Sequence, residues 1–179
     1  MKRLLFVYIL LFAACADTLD DTSKTRTVIL PGMPHLEWMT ENLSGFGGTE
    51  VDGHWYYTWE EAMAAAEQLG DDWRLPTQEE FEALCDLGST WDDKRKGRWF
   101  GGNHDTDHEG SLFMPAAGFC YYDTGAPASV GYNGYFWSSL FYDNRNNLAG
   151  ELHFNASFVE PLEINKLYSG SSVRLVRSV

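Results

Sequence analysis

The hydrophobic pattern predicts two capped α-helices in the first half of the chain. Thr58 and Glu61 form a Thr-x-x-Glu signal, and Thr77 and Glu80 repeat it. In this capping box the threonine oxygen accepts the N–H of the glutamate, and the glutamate carboxylate accepts the N–H of the threonine. Apolar residues at helical spacing follow each signal. They are Trp59, Ala62, Met63, Ala66 and Leu69 in the first helix, and Phe81, Leu84 and Cys85 in the second.

Short apolar or alternating stretches predict strands on both sides of the helices. Two stretches precede the first helix, and the others lie after residue 88, where turn residues and aromatics become frequent. This order predicts one α+β domain, with two helices packed on short, mostly antiparallel strands that are joined by long loops. The predicted strands are residues 26–30, 35–43, 112–115, 136–140, 151–155 and 172–177.

The N-terminus predicts export and a lipid anchor. Lys2 and Arg3 precede an apolar run that is too short to span a bilayer, and Ala-Ala-Cys follows. A cysteine directly after two alanines resembles a bacterial lipobox, so we predict a signal peptide over residues 1–14 and lipidation of Cys15. Ordinary secretion, with cleavage near the same alanines, is the alternative. Residues 15–25 are polar and aperiodic, which predicts a flexible acidic tether.

The domain that follows, residues 26–179, is acidic and rich in aromatic residues. The whole chain has 26 Asp+Glu against 13 Lys+Arg, a net charge of −13. This balance argues against nucleic acid or anionic lipid as a partner. Seven tryptophans and nine tyrosines suit both a core and a recognition surface, because each ring combines an apolar body with a polar group.

Two cysteines remain in the domain besides Cys15. Cys85 and Cys120 form one disulfide if the envelope is oxidising. Two buried free thiols are the alternative, since Cys85 lies on the apolar face of its predicted helix.

Five short motifs occur in a fixed order along the domain. They are residues 38–43 (Trp-Met-Thr-Glu-Asn-Leu), 73–77 (Trp-Arg-Leu-Pro-Thr), 112–118 (Leu-Phe-Met-Pro-Ala-Ala-Gly), 134–139 (Gly-Tyr-Phe-Trp-Ser-Ser) and 172–174 (Ser-Val-Arg). Together they resemble the Fibrobacter succinogenes major paralogous domain, which is common in Bacteroidetes surface lipoproteins. The resemblance implies a C-type-lectin-like fold, related to formylglycine-generating enzymes and to the variable proteins of diversity-generating retroelements. It also implies paired terminal strands and ligand loops in the second half.

Two arginines lie within these motifs. We expect Arg74 and Arg174 each to pair with a carboxylate near the core, where a guanidinium binds in bidentate geometry. Such pairs belong to the scaffold and carry no chemistry of their own.

One acidic stretch has the spacing of metal ligands. Asp105, Asp107 and Glu109 alternate before a glycine, as oxygen ligands do at the start of many calcium loops. Residues 111–115 offer no closing glutamate, and the Glu-Pro-Asn and Trp-Asn-Asp motifs of calcium-dependent lectins are missing. We therefore expect a hydrated acidic turn and no cofactor, with calcium binding as the alternative.

The sequence argues against an enzyme. The oxidation performed by formylglycine-generating enzymes needs a closely spaced cysteine pair near the C-terminus, and no cysteine follows Cys120. Gly-x-Ser-x-Gly, His-Glu-x-x-His and phosphate-binding glycine loops are also missing. A formylglycine-generating-enzyme-like oxidase is the least favoured of the functions considered.

The C-terminal half instead has the composition of a recognition surface, rich in tyrosine, asparagine and acidic residues. We predict a lipoprotein, anchored in the outer membrane at the cell surface, that binds a protein or glycan ligand there and contacts the membrane only through its lipid. The region matches the part that retroelements diversify in related proteins. A subunit of a fimbria-like assembly is the alternative. The predicted ligand-binding residues are Tyr135, Tyr142, Asp143, Asn144, Arg145, Asn146, Asn147, Glu151, His153, Asn155 and Tyr168, with Glu151, His153 and Asn155 pointing outward from their strand.

The anchor is tested by metabolic labelling. Palmitate is expected to label the chain at Cys15, and globomycin is expected to block processing of the precursor, because lipidation precedes cleavage in that pathway. Gel mobility and autoradiography measure both effects. Cleaved, unlabelled protein would contradict the anchor and favour ordinary secretion.

Overall fold

The computed structural model describes residues 26–101, 110–143, 146–166 and 168–179. Within these residues the chain forms two α-helices and thirteen short strands. The predicted signal peptide, the tether with Cys15, the acidic stretch from Asp105 to Glu109, and Asn144 and Arg145 lie outside the described residues. In chain order the elements are β1 Thr27–Ile29, β2 Leu36–Met39, β3 Thr49–Val51, β4 His54–Tyr56, α1 Trp59–Leu69, α2 Gln78–Asp86, β5 Ser89–Asp92, β6 Gly97–Phe100, β7 Leu112–Pro115, β8 Phe119–Cys120, β9 Pro127–Ala128, β10 Asn133–Asp143, β11 Leu148–Asn155, β12 Val159–Lys166 and β13 Val176–Ser178.

The described strands form small antiparallel sheets. Three sheets have three strands each, in the orders β1-β2-β13, β10-β11-β12 and β5-β6-β7, and two hairpins pair β3 with β4 and β8 with β9. The α+β class and the short antiparallel strands are therefore confirmed. The first and last strands both pair with β2, a feature of many folds that establishes no finer class.

Both capping boxes are present. The Glu80 N–H donates to Thr77 Oγ1 at 3.2 Å and the Thr77 N–H donates to Glu80 Oε2 at 2.8 Å. Thr58 and Glu61 make the same two bonds at the start of α1. One detail of the α1 prediction is wrong, because Met63 is 39 % exposed. The buried stripe of α1 is narrow and consists of the alanines Ala62, Ala65 and Ala66.

The two motif arginines have different partners. Arg74 binds both carboxylate oxygens of Glu80, at 2.7 Å each, as predicted. The prediction for Arg174 is wrong, since its hydrogen bonds go to the carbonyls of Met39 and Thr40 and to Asn42 Oδ1. The carbonyls at the end of β2 need donors like any buried backbone oxygen, and the buried Arg174 guanidinium supplies them.

The core consists of two clusters. In the first, Trp38 and Phe81 meet with ring centroids 6.1 Å apart beside the buried phenylalanines of β6, β10 and β11. In the second, α1 packs against Trp137, whose indole N–H donates to the Tyr57 carbonyl at 2.7 Å. Helix α2 belongs to the first cluster and packs on the β10-β11-β12 sheet, where the Gln78 amide donates to the Pro161 carbonyl at 2.6 Å.

The last ten residues, 170–179, connect most of these parts, and we call them the closing segment. The strand predicted at residues 172–177 is shorter than expected, Val176–Ser178. The preceding residues instead bridge one at a time to different partners, because the segment crosses between sheets. Its backbone bonds reach Cys120, Tyr57, Tyr135 and Trp137, Leu43 and Met39, Arg74, and His35.

The β5–β6 hairpin has an exposed turn at residues 93–96, which connects two strands of its sheet. Arg98 is buried, and its guanidinium donates to the Asn155 carbonyl at 2.9 Å and to Ser89 Oγ at 2.8 Å. Neither helix of the described chain is long and apolar enough to cross a bilayer.

Replacing Glu80 with alanine is expected to lower the free energy of unfolding by about 2 kcal/mol, since it removes a cap and the partner of Arg74. Urea unfolding, followed by tryptophan fluorescence, measures the change. Glu79→Ala, exposed in the same helical turn, is the matched control and is expected to change it by less than about 0.5 kcal/mol.

The stabilisation that Glu80 contributes to the folded state is also expected to depend on pH. Burial alone raises the pKa of Glu80, but hydrogen bonds from Arg74 and from the Thr77 N–H outweigh it, so the net pKa is lowered. The stabilisation is then present above the unfolded pKa of glutamate and is lost as pH falls through the folded pKa. A difference between wild type and Glu80→Ala that persists unchanged in strong acid would contradict this account.

Candidate functional site

An open cleft of about 490 Å³ lies beside the β10-β11-β12 sheet, and we call it the tyrosine cleft. Aromatic rings make up much of its wall, and acidic and amide side chains supply its polar groups. The lining residues are Phe119, Cys120, Tyr121, Tyr122, Asp123, Tyr135, Glu163, Asn165, Tyr168 and Ser169.

Four segments bring these residues together. Tyr135 comes from β10, Glu163 and Asn165 come from one face of β12, and the β8–β9 hairpin supplies the residues around Tyr121. The fourth segment leads into Gly170, which exchanges two backbone hydrogen bonds with Cys120 at 2.8 and 3.0 Å. A Cβ on Gly170 would lie 2.9 Å from the Cys120 Cβ, so the close approach of the two backbones requires glycine.

The tyrosine side chains leave large ring areas open to solvent. Tyr121, Tyr122 and Tyr168 are 52 %, 70 % and 47 % exposed. Tyr122 and Tyr168 face each other with ring centroids 5.8 Å apart. Phe119 makes edge-on contacts with Tyr121 at 4.8 Å and with Tyr135 at 5.5 Å, which hold these two rings in place.

The cleft continues towards the start of α1 through two smaller recesses. One, of about 160 Å³, shares Cys120, Tyr121, Tyr122 and Tyr168 with the cleft. The other, of about 370 Å³, is lined by Glu60, Glu61 and Asn147 together with the tyrosine pair. A ligand longer than the cleft itself therefore has a path along an acidic surface.

A buried carboxyl lies beneath the cleft. Glu151 on β11 is fully buried, so the prediction that it points outward is wrong. It accepts hydrogen bonds from Ser171 Oγ at 2.8 Å and from Asn165 Nδ2 at 3.0 Å. Alternation predicted an exposed face for β11, but β11 is the central strand of its sheet, residues 149–152 are all buried, and Ser171 of the closing segment bonds to Glu151.

The environment of Glu151 favours its neutral form. Burial raises its pKa to about 8, and Glu163, which lies opposite in the β11–β12 register, adds to the shift. The hydrogen bonds from Ser171 and Asn165 act in the other direction and do not outweigh burial.

His153 holds the lining residues Tyr135 and Glu163 in position. Its ring stacks on Tyr135 with centroids 4.2 Å apart and planes 13° apart. Its Nδ1 contacts Glu163 Oε2, and its Nε2 lies 3.0 Å from Asn133 Oδ1. His153 is part of the support of the cleft and does not line it.

The predicted binding residues are only partly brought together. Tyr135 and Tyr168 line the cleft, Asn147 lines the adjoining recess, and Glu151 and His153 support the cleft from below. The others are elsewhere among the described residues. Tyr142 is exposed near the end of β10, Asn146 donates to Asp143, and Asn155 lines a separate recess with Tyr132 and Asn133.

Eight of the ten lining residues were not among the predicted binding residues. Glu163 and Asn165 have the i, i+2 spacing of one strand face, which was the available signal. Pro161 weakens that signal because proline is rare in central strands, and it is tolerated here because β12 is the edge strand. The missed residues are Phe119, Cys120, Tyr121, Tyr122, Asp123, Glu163, Asn165 and Ser169.

Both domain cysteines are free thiols in the structure. Cys85 lies on α2 against the first core cluster, and Cys120 is buried in the cleft wall. Burial raises the pKa of Cys85 to about 12 and also raises that of Cys120. Both are therefore protonated, weakly nucleophilic thiols at neutral pH.

In the described part of the chain, His, Cys, Asp and Glu side chains do not form any group of three or more that could hold a metal ion. The predicted calcium ligands Asp105, Asp107 and Glu109 lie outside that part of the chain.

Comparisons with protein-family models, with curated proteins and with solved structures give no match to this chain.

Glu151→Gln is expected to remove a decline of stability with pH. Because the folded pKa is raised, the folded state binds a proton that the unfolded state releases. The free energy of unfolding therefore falls from the unfolded pKa, near 4.5, up to about 8, by at most about 1.4 kcal/mol per pH unit. Urea unfolding between pH 4 and 9 measures the decline. Glu160→Gln, exposed on β12, is expected to retain it, and identical profiles for wild type and Glu151→Gln would refute this assignment.

Proposed function

We propose that this chain is a binding protein that takes a protein or glycan ligand in the tyrosine cleft, and that a lipid on Cys15 holds it at the cell surface. The observation that carries the proposal is the cleft itself, about 490 Å³ with three tyrosines 47–70 % exposed along it. Exposed aromatic groups that gather in one concave place are typical of ligand sites.

The chemistry of the lining supports recognition. Each tyrosine ring gives a rigid apolar face and a hydroxyl group at a small cost in conformational entropy. Asp123, Glu163 and Asn165 add polar groups that orient a ligand.

The support beneath the cleft makes these groups preorganised. His153 stacks on Tyr135 and contacts Glu163, and Glu151 fixes Asn165 and Ser171 from within the sheet. Side chains already held in one arrangement lose less freedom when a ligand binds, so more of the contact energy appears as affinity.

We favour binding over catalysis because neither the Cys120 thiol nor the Ser169 hydroxyl of the cleft is activated as a nucleophile. The Cys120 thiol is protonated, as its raised pKa requires. The Ser169 hydroxyl donates to Asn165 Oδ1 at 3.2 Å and has no adjacent base in the described lining.

The finer architecture and the location are part of the same proposal. The five ordered motifs support a C-type-lectin-like domain of the Fibrobacter succinogenes major paralogous type. The Ala-Ala-Cys sequence and the acidic tether support an outer-membrane lipoprotein that displays this domain outside the cell.

Tyr122→Ala and Tyr168→Ala are each expected to weaken ligand binding at least about fivefold, since one ring of a binding site contributes about 1–3 kcal/mol to a contact. The ligand is first found by screening residues 22–179 on a glycan array and by pull-down of host proteins, and titration then gives the Kd of each variant.

Tyr132→Ala is the matched control, because Tyr132 is 74 % exposed but lines a different recess. Ligand binding that is indifferent to both cleft substitutions would refute the cleft as the site. Assembly of the protein into filaments without any ligand would favour the fimbria-like subunit instead.

A further inference from the structure

We infer, on the premise that the tyrosine cleft is the binding site proposed above, that it receives a lysine or arginine side chain from a basic segment of a protein partner. This conclusion depends on the charge of the lining, the direction of its hydrogen bonds and the spacing of its rings.

The charged side chains that line the cleft and its recesses are all acidic. The cleft contains Asp123 and Glu163, and the recess towards α1 adds Glu60 and Glu61. Among the described residues that line the cleft and its two recesses there is no lysine, arginine or histidine. A cationic group that enters is attracted by every ionised group of the lining, and an anionic group is repelled.

Two hydrogen-bond donors of the lining donate to other groups of the protein and not towards the cleft. Ser169 donates its hydroxyl to Asn165, and Asn165 donates an amide hydrogen to the buried Glu151. These donors are therefore engaged, whereas the carboxylates of Asp123 and Glu163 are acceptors only. The side chain of Glu163 is 41 % exposed, and the contact of its Oε2 with His153 fixes its orientation at the cleft. A ligand group that only donates, such as an ammonium or a guanidinium, is the best match.

The aromatic rings suit the same group. The ring centroids of Tyr122 and Tyr168 lie 5.8 Å apart, and both rings have open surface. A cation within about 6 Å of a ring centroid is attracted by the electrons of the ring. Arginines elsewhere in the described chain already make this interaction, with Arg95 at 5.1 Å from the Trp99 centroid and Arg177 at 4.7 Å from that of Trp73. The alkyl stem of lysine or arginine also packs well on tyrosine.

A protein partner fits these observations better than a glycan does. A neutral sugar could bond to the tyrosine hydroxyls but would gain nothing from the negative charge of Asp123 and Glu163, whereas a cation gains from both the carboxylates and the rings. An acidic glycan would be repelled. A chain with a net charge of −13 also attracts basic surfaces over longer distances and raises their rate of association.

Titration of the full chain in detergent with hexalysine and hexa-arginine tests the inference, with hexaglutamine and hexaglutamate as controls. Tyrosine fluorescence and calorimetry give the Kd. Both basic peptides are expected to bind at least tenfold more tightly than hexaglutamine, and more weakly at 500 mM than at 100 mM salt. Hexaglutamate is expected not to bind.

Substitutions locate the site. Glu163→Gln and Asp123→Asn are each expected to raise the Kd for hexalysine about fivefold or more, and the double variant is expected to raise it more than tenfold. Glu160→Gln, exposed on the same strand and outside the cleft lining, is the matched control and is expected to stay within twofold. Unfolding midpoints show that each variant is folded.

Two results would overturn the inference. One is binding of hexalysine that the double variant leaves unchanged. The other is a neutral or acidic glycan or protein that binds in a Tyr122-dependent way while both basic peptides fail, in which case the cleft remains the binding site and only the cationic ligand is wrong. If no basic peptide, glycan or protein shows binding that depends on Tyr122 or Tyr168, the proposed function fails as well.

Discussion

The backbone hydrogen bonds of the closing segment are the constraint on which the rest of the structure depends. Residues 170–179 bond to the wall of the cleft at Cys120, to Tyr57 before α1, to β10, to the corner at Arg74 and to β2. No pair of these parts is close in sequence, and the closing segment brings them into one frame. Ser171 of the same segment donates its hydroxyl to the buried Glu151 of β11.

What the sequence predicts well in this protein is local. The capping boxes at Thr58 and Thr77 and the pair between Arg74 and Glu80 need residues that are three to six positions apart, so their spacing is visible in the chain. The partners of Arg174 are 132 or more positions away. The burial of Glu151 depends on its neighbours in β12 and in the closing segment. The alternation of residues within β11 carries no information about those neighbours. Periodicity describes one element, whereas burial depends on what covers that element.

The cleft shows the same limit in functional terms. Composition identified tyrosines of the C-terminal half, and Tyr135 and Tyr168 do line the cleft. Asp123, Glu163 and Asn165 were missed because they join the site only after three separate segments have folded against β10. Since sequence and structure comparisons supply no relative, the proposal for the ligand rests on this geometry, and the sign of the charge in the cleft is its most informative property.

The closing segment also has a consequence for the cooperativity of unfolding. Its backbone bonds join the cleft wall at Cys120, Tyr57, β10, Arg74 and β2, so none of these parts can open locally without disturbing bonds to the others. Regions that open by themselves are usually those with few such connections. The wall of the cleft and the frame of the core are therefore coupled, and loss of one entails loss of the other.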